Sequence, residues 1–128
     1  MHERVQKYAL KTSLGMLNPS GSVVTVYPNA IKQINTLNDY YLGVKQVSFM
    51  LTDFLTFLSS NGFHQHTLDK ASFSGRGIDL DLKNPITGRF MSGSSSGTAL
   101  NVFLGINDVG LGTDGGGSVL APASALNL

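Results

Sequence analysis

The chain has 128 residues, enough for one domain with a buried core. Only 13% of them are charged, about half the usual ~25%, and the formal net charge is +1. So weak a field does not attract a polyanion, which argues against a dedicated nucleic-acid binder and a polybasic membrane-surface protein. Cysteine is absent, which excludes disulfides, iron–sulfur clusters and cysteine-based zinc sites.

In chain order, residues 3–14 carry apolar side chains at 5, 8, 9 and 14, a helical stripe that Gly15 ends. The charged residues mixed into positions 1–11 are unlike a signal peptide. Asn18-Pro-Ser-Gly21 reads as a turn, and residues 22–27 as a β-branched strand. Pro28 suits the first position of a helix reaching about Leu37. Residues 44–50 read as a second strand, and Thr52 caps a helix to Ser60 with Asn61-Gly62 as its stop.

The most apolar run, residues 47–58, contains Asp53 and falls short of the ~20 residues that span a bilayer. Together these features lead us to expect a cytoplasmic protein. Further on, Ile78, Leu80 and Leu82 alternate with Asp79, Asp81 and Lys83, as in a half-exposed strand. Ser94 or Ser95 caps a helix through Leu104, closed by Gly105, and residues 108–112 form a short strand. Strands alternating with helices indicate one α/β unit over residues 1–128.

Charge is unevenly spread. From residue 88 to 128 the only charged side chains are Arg89, Asp108 and Asp114, while nine of the 15 glycines lie there. Three motifs in the chain look chemical. His64-Gln65-His66 is a metal-like pair to which Asp69 adds a carboxylate, but zinc takes three or four ligands and the only other histidine is His2. We therefore read it as a polar surface loop after a helix.

Gly110-Leu-Gly112-Thr-Asp-Gly115 matches the dinucleotide fingerprint letter by letter, yet Pro122 stands where its helix belongs. Gly93-Ser-Ser95-Ser-Gly97 matches a nucleophile elbow, but all three histidines precede it, the wrong order for that triad. A serine here needs another base, and lysine is the remaining type. Three consecutive glycines before Ser118 leave a backbone free to aim its N–H groups at one point, as an oxyanion hole requires. The bland alternative for both segments is a set of tight turns and a helix cap.

Ser92-Gly-Ser-Ser-Ser-Gly97, then Gly110-Leu-Gly-Thr-Asp-Gly-Gly-Gly-Ser118, then Pro122-Ala123 closely resemble the motifs of the amidase signature family. Its pattern is G-G-S-S-G-G, followed by G-x-D/T-x-G-G-S and a P-A continuation. Ser94 and Ser118 are 24 residues apart, like the two serines of that family. Asn84-Pro85 and Arg89 resemble its N-P…R segment, and the helix ending at Asn61-Gly62 resembles one that closes in A-G. The resemblance covers residues 43–128 and is strongest over 84–124.

It implies an α/β fold, part of a mixed β-sheet layer flanked by helices, and hydrolysis of amide bonds by a Ser-Ser-Lys triad without metal or organic cofactor. Carried over by position, it makes Ser118 the acyl nucleophile and Ser94, a cis-peptide serine in the family, the proton relay. Gly115, Gly116 and Gly117 would form the oxyanion hole, Thr113 and Asp114 would brace that loop, and Ser95 would support it. Two positions depart from the pattern: Ser96 replaces a glycine, and Leu120 stands where arginine is frequent.

The family's lysine ends a strand reading roughly G-V-P-V-x-V-K. Against Gly43-Val-Lys-Gln-Val-Ser-Phe-Met50, a gap-free alignment puts Lys45 on the proline and Phe49 or Met50 on the lysine. With a deletion, Lys45 is the base. A Lys45 nitrogen ~3 Å from Ser94 would favour the enzyme. Absence of such a contact would favour a non-catalytic amidase-like subunit or binding module that assembles with a partner chain. Family enzymes run to several hundred residues, so a shortened or split enzyme is expected. In that case the charge-poor surface of residues 88–128 would be covered by self-association or by a complementary chain. The substrate would be a small amide.

Overall fold

Three valines and a threonine, whose branched Cβ atoms favour extended backbone, form β1, Val23–Val26. The computed structural model in which it lies describes residues 20–34, 36–46, 52–72 and 82–128. The helix expected over residues 3–14, the later half of the strand expected over 44–50, and most of the alternating stretch ending at Leu82 lie outside the described residues. Pro28, with its φ already helical, opens α1, Pro28–Gln33. The helix stops short of Leu37 because Ile34 is extended and the Asp39 carboxylate takes the N–H and hydroxyl of Thr36 in a competing local turn.

The second strand is β2, Tyr40–Lys45, which begins four residues before the expected Val44. Its residues from Tyr41 to Lys45 are all buried. A strand buried on both faces shows no alternation to read, and Gly43 and Lys45 further disguise it. The next helix, α2, Thr52–Ser60, has Asp53 in its first turn, where the helix dipole favours a carboxylate. It ends as expected at Asn61-Gly62, with Gly62 at φ 88°.

The histidine pair lies in a strand, β3, Phe63–Asp69; the surface-loop reading is wrong. His66 is wholly buried, its Nδ1 2.9 Å from Asn107 Oδ1, and His64 pairs with Asp39 at 3.3 Å. Polar side chains hid the strand, since they replace the β-branched and apolar residues that usually announce one. Beyond it come α3, Ser96–Phe103, the Gly105 stop at φ 75°, and β4, Val109–Leu111. A last helix, α4, Leu120–Ala125, was not expected. Pro122 is tolerated there because it lies in the first turn, whose N–H groups lack helical partners in any case.

The sheet is mixed, in the order β1-β3-β2-β4. β1 runs antiparallel to β3, while β3, β2 and β4 are parallel, so β2, α2 and β3 make a βαβ unit. Leu42, Phe63 and Gln65 look toward α1 and α2 and line a groove of about 590 Å³. On the other face the Tyr41 ring packs tilted against His66, Gly43 faces Asp69 and Asn107, and α3 lies across them. A bulge opposite Leu42 and Gly43 skips His66 in the pairing and helps bring residues 66, 67 and 69 to this one face.

A continuous hydrogen-bond chain joins that face to α3. Asn107 Nδ2 donates to Thr67 Oγ1 at 2.7 Å, Thr67 donates to Asp69 Oδ1, and Asn101 Nδ2 donates to the same oxygen at 2.8 Å. Ser22 closes it by donating to Asn101 Oδ1 at 2.5 Å. The opposite side of α3 packs apolar Ala99 and Leu100 on Leu82, Met91 and Leu126. The whole of Ser96 to Asn101 is therefore buried.

Gly97 permits this seating. A Cβ there would collide with backbone atoms of Lys70 and with Ser22 O at 2.7 Å, none of which can swing aside. Gly97→Ala is expected to cost about 3 kcal/mol of stability, as overpacking of a core does. Gly116→Ala, where a Cβ meets nothing within 4 Å, should leave the unfolding midpoint unchanged. Chemical denaturation of both variants checks the contrast.

Candidate active site

Lys45 ends β2 and is 3% exposed. Its ammonium reaches two hydroxyls on different loops, Ser94 Oγ at 2.5 Å and Thr113 Oγ1 at 2.9 Å. Burial lowers its pKa below the ordinary 10.5, while the negative charge of Asp114 opposes that shift. Lys45 thus lies beside the serine loop.

Ser94 follows the cis Gly93–Ser94 peptide bond, and its carbonyl accepts the N–H of Ser72 at 3.2 Å. Ser95 caps the start of α3 by position, without a side-chain cap bond. Its N–H donates to Ser118 O at 2.9 Å, tying the two serine segments together. Its hydroxyl is buried beside Gly112, where a Cβ would come within 2.5 Å of it, and has no hydrogen-bond partner.

Asp114 organises the glycine loop. Oδ1 accepts the N–H of Gly117 at 2.6 Å, and Oδ2 accepts those of Val119 and Leu120 at 2.9 and 3.0 Å. These backbone donors hold its pKa down at about 2. The same carboxylate occupies the start of α4, where a phosphate would have to sit, so the dinucleotide motif fails even though a helix follows it. Of the three expected oxyanion donors, Gly117 gives its N–H to Asp114, and Gly115 and Gly116 lie exposed with open space beside them. Among the described residues, Ser118 Oγ makes no hydrogen bond to Ser94; the two segments meet through the backbone.

Sequence reading missed the polar face under this site, made by His66, Thr67, Asp69, Asn101 and Asn107. The available signal was Asn101, a lone amide in the apolar helical run Ala99-Leu-Asn-Val-Phe103. Among the described residues no group of three or more potential ligands could hold a metal ion, and no helix is long and apolar enough to cross a membrane.

Asp114 has a lowered pKa, so its contribution is present above the ordinary 3.8 and lost as pH falls through about 2. Asp114→Asn removes it at all pH values. The amides of Gly117, Val119 and Leu120 should then exchange with solvent faster at neutral pH, with α3 unaffected, in a hydrogen-exchange experiment.

Residues 80–128 match the family model named Amidase. No curated protein and no solved structure is matched. The matched segment holds Ser94, Ser95, the Asp114 loop and Ser118, while Lys45 lies outside it and is brought to it by the fold. Over residues 80–128 the chain is similar to the Amidase family.

Proposed function

We propose that this protein hydrolyses small-molecule amides through an acyl-enzyme on Ser118, with Ser94 as relay and Lys45 as base. The observation that carries the reading is the 2.5 Å contact of Lys45 Nζ with Ser94 Oγ. It joins a strand outside the family-matched segment to the serine loop inside it. A lysine of lowered pKa is a base suited to a hydroxyl nucleophile.

In this mechanism neutral Lys45 withdraws a proton from Ser94 as Ser94 takes the proton of Ser118. Ser118 Oγ adds to the amide carbonyl, and the N–H groups of Gly115 and Gly116 stabilise the oxyanion. The tetrahedral intermediate collapses, the C–N bond breaks, and the amine leaves with a proton returned through Ser94. Water then attacks the acyl-enzyme by the same relay and releases the acid. The Ser94–Ser118 hydrogen bond forms with substrate in place, as catalytic contacts often do.

The reading treats residues 1–128 as one α/β unit working in the cytoplasm, within an oligomer or beside a complementary chain. Exposed Ile86, Val109, Leu120 and Leu128 support a covered surface. Light scattering of the purified chain should therefore give a mass above 13.6 kDa; a monomer at micromolar concentration would refute the assembly.

A fluorophosphonate probe should label Ser118, and Ser118→Ala should abolish labelling. Ser94→Ala and Lys45→Met should slow it about 100-fold or more while leaving the circular dichroism spectrum intact. A folded wild-type chain that takes no label would instead support the non-catalytic subunit.

A further inference from the structure

We propose that Asp69 is a positioning residue of this site: as a neutral carboxylic acid it fixes α3 through Asn101, and α3 in turn holds the Ser94 hydroxyl against Lys45. The activity arm of the test rests on the amide-hydrolase reading; the stability arm does not.

Asp69 ends β3. It is the register partner of Lys45 on one side and of Val23 on the other, and it is 0% exposed. The chain beyond it closes on the serine segment bond by bond. Lys70 O accepts the N–H of Gly97 at 2.9 Å, and Ser72 N–H donates to Ser94 O at 3.2 Å. The Asp69–Asn101 bond pins the middle of the same helix. Lys45 and Ser94 therefore meet across a joint that Asp69 holds from both directions.

The two carboxyl oxygens are unequal. Oδ1 accepts from Thr67 and Asn101, whereas Oδ2 is buried, lies where a Cβ on Gly43 would point, and makes no hydrogen bond, although the Thr98 hydroxyl of α3 is near enough to favour its charged form. Titratable groups on the surrounding elements are turned elsewhere. The Lys45 ammonium on β2 serves Ser94 and Thr113, and Tyr41 packs tilted against the His66 ring. His66 on β3 meets Asn107. Asp108, beyond Asn107, accepts the Tyr41 N–H at 2.8 Å. Lys70 follows Asp69 in the chain, and β1 and α3 carry no titratable side chain.

Among the described residues, then, no cation pairs with Asp69. An ionised oxygen with no cation and no hydrogen-bonded donor is expensive, and burial outweighs the opposing donors Thr67, Asn101 and Thr98 to raise the carboxyl pKa to about 7. Ionisation calls water toward Oδ2, which can enter only by lifting α3 from the sheet. Deprotonation therefore loosens the Lys45–Ser94 contact.

Wild type and Asp69→Asn are compared from pH 5 to 9 by thermal unfolding and by the rate of fluorophosphonate labelling. Because the folded pKa is raised, the stability Asp69 contributes is complete below the ordinary 3.8 and lost as pH rises through about 7. The wild-type midpoint should fall over that range and the variant's should not. Wild-type labelling should level off near pH 7 while the variant's keeps rising, the gap widening by about tenfold per pH unit.

A flat wild-type midpoint, or labelling profiles of the same shape in both proteins, would overturn the proposal. Where wild type takes no label, the hydrolase reading fails and the Lys45 Nζ resonance decides the positioning claim. It should shift with the titration of Asp69 in wild type and not in the variant, and its indifference would sink the claim. Should Asp69→Asn not fold, Asn101→Leu serves in its place: with α3 no longer bonded to Asp69, its labelling profile should lose the break near pH 7, and an unchanged break would overturn the proposal.

Discussion

An ammonium at the end of a buried strand must find oxygen partners or lose its proton. That constraint on Lys45 organises the candidate site. Ser94 arrives from the loop before α3 and Thr113 from the loop after β4, and both give their hydroxyls to the same nitrogen. Asp114, the next residue, fastens the glycine loop by three backbone N–H groups and leaves Ser118 at the start of α4. Two loops are thus drawn to one point by one side chain.

The joint has a support beneath it of an unusual kind. Where a sheet–helix interface normally packs aliphatic side chains, this one carries Thr67, Asp69, Asn101 and Asn107 in a single hydrogen-bonded chain. Such a network specifies one arrangement of helix on sheet, because displacing any member strands buried polar atoms. The charge-poor C-terminal region takes on a clearer meaning as a result. Some of its glycines let backbone and side chains approach closely, as Gly97 does against Lys70 and Gly110 against Thr98. Gly115 and Gly116 instead face open space, which the proposed mechanism gives to a substrate carbonyl.

Much of this was legible in the residues. β1, α2, α3 and β4 follow from β-branched runs, caps and glycine stops, and the paired serine motifs lie in the segment that matches the Amidase model. Three things were not. β2 gave no alternation because both its faces are buried, and β3 was concealed by histidines and threonine in place of aliphatic residues. The contact of Lys45 with Ser94 depends on strand register and on a helix seated across the sheet, neither of which spacing along the chain can report. Asp69 was weighed only as a metal ligand, since its partner Asn101 lies 32 residues away.

The central claim is that Lys45 serves as a base because the fold buries it against Ser94. Nitrogen-detected NMR titration of Lys45 Nζ in the folded chain tests it most directly. The account predicts loss of the proton below the ordinary 10.5, with the midpoint changing when Ser94 is replaced by alanine. A midpoint at or above 10.5, unaffected by that substitution, would contradict it.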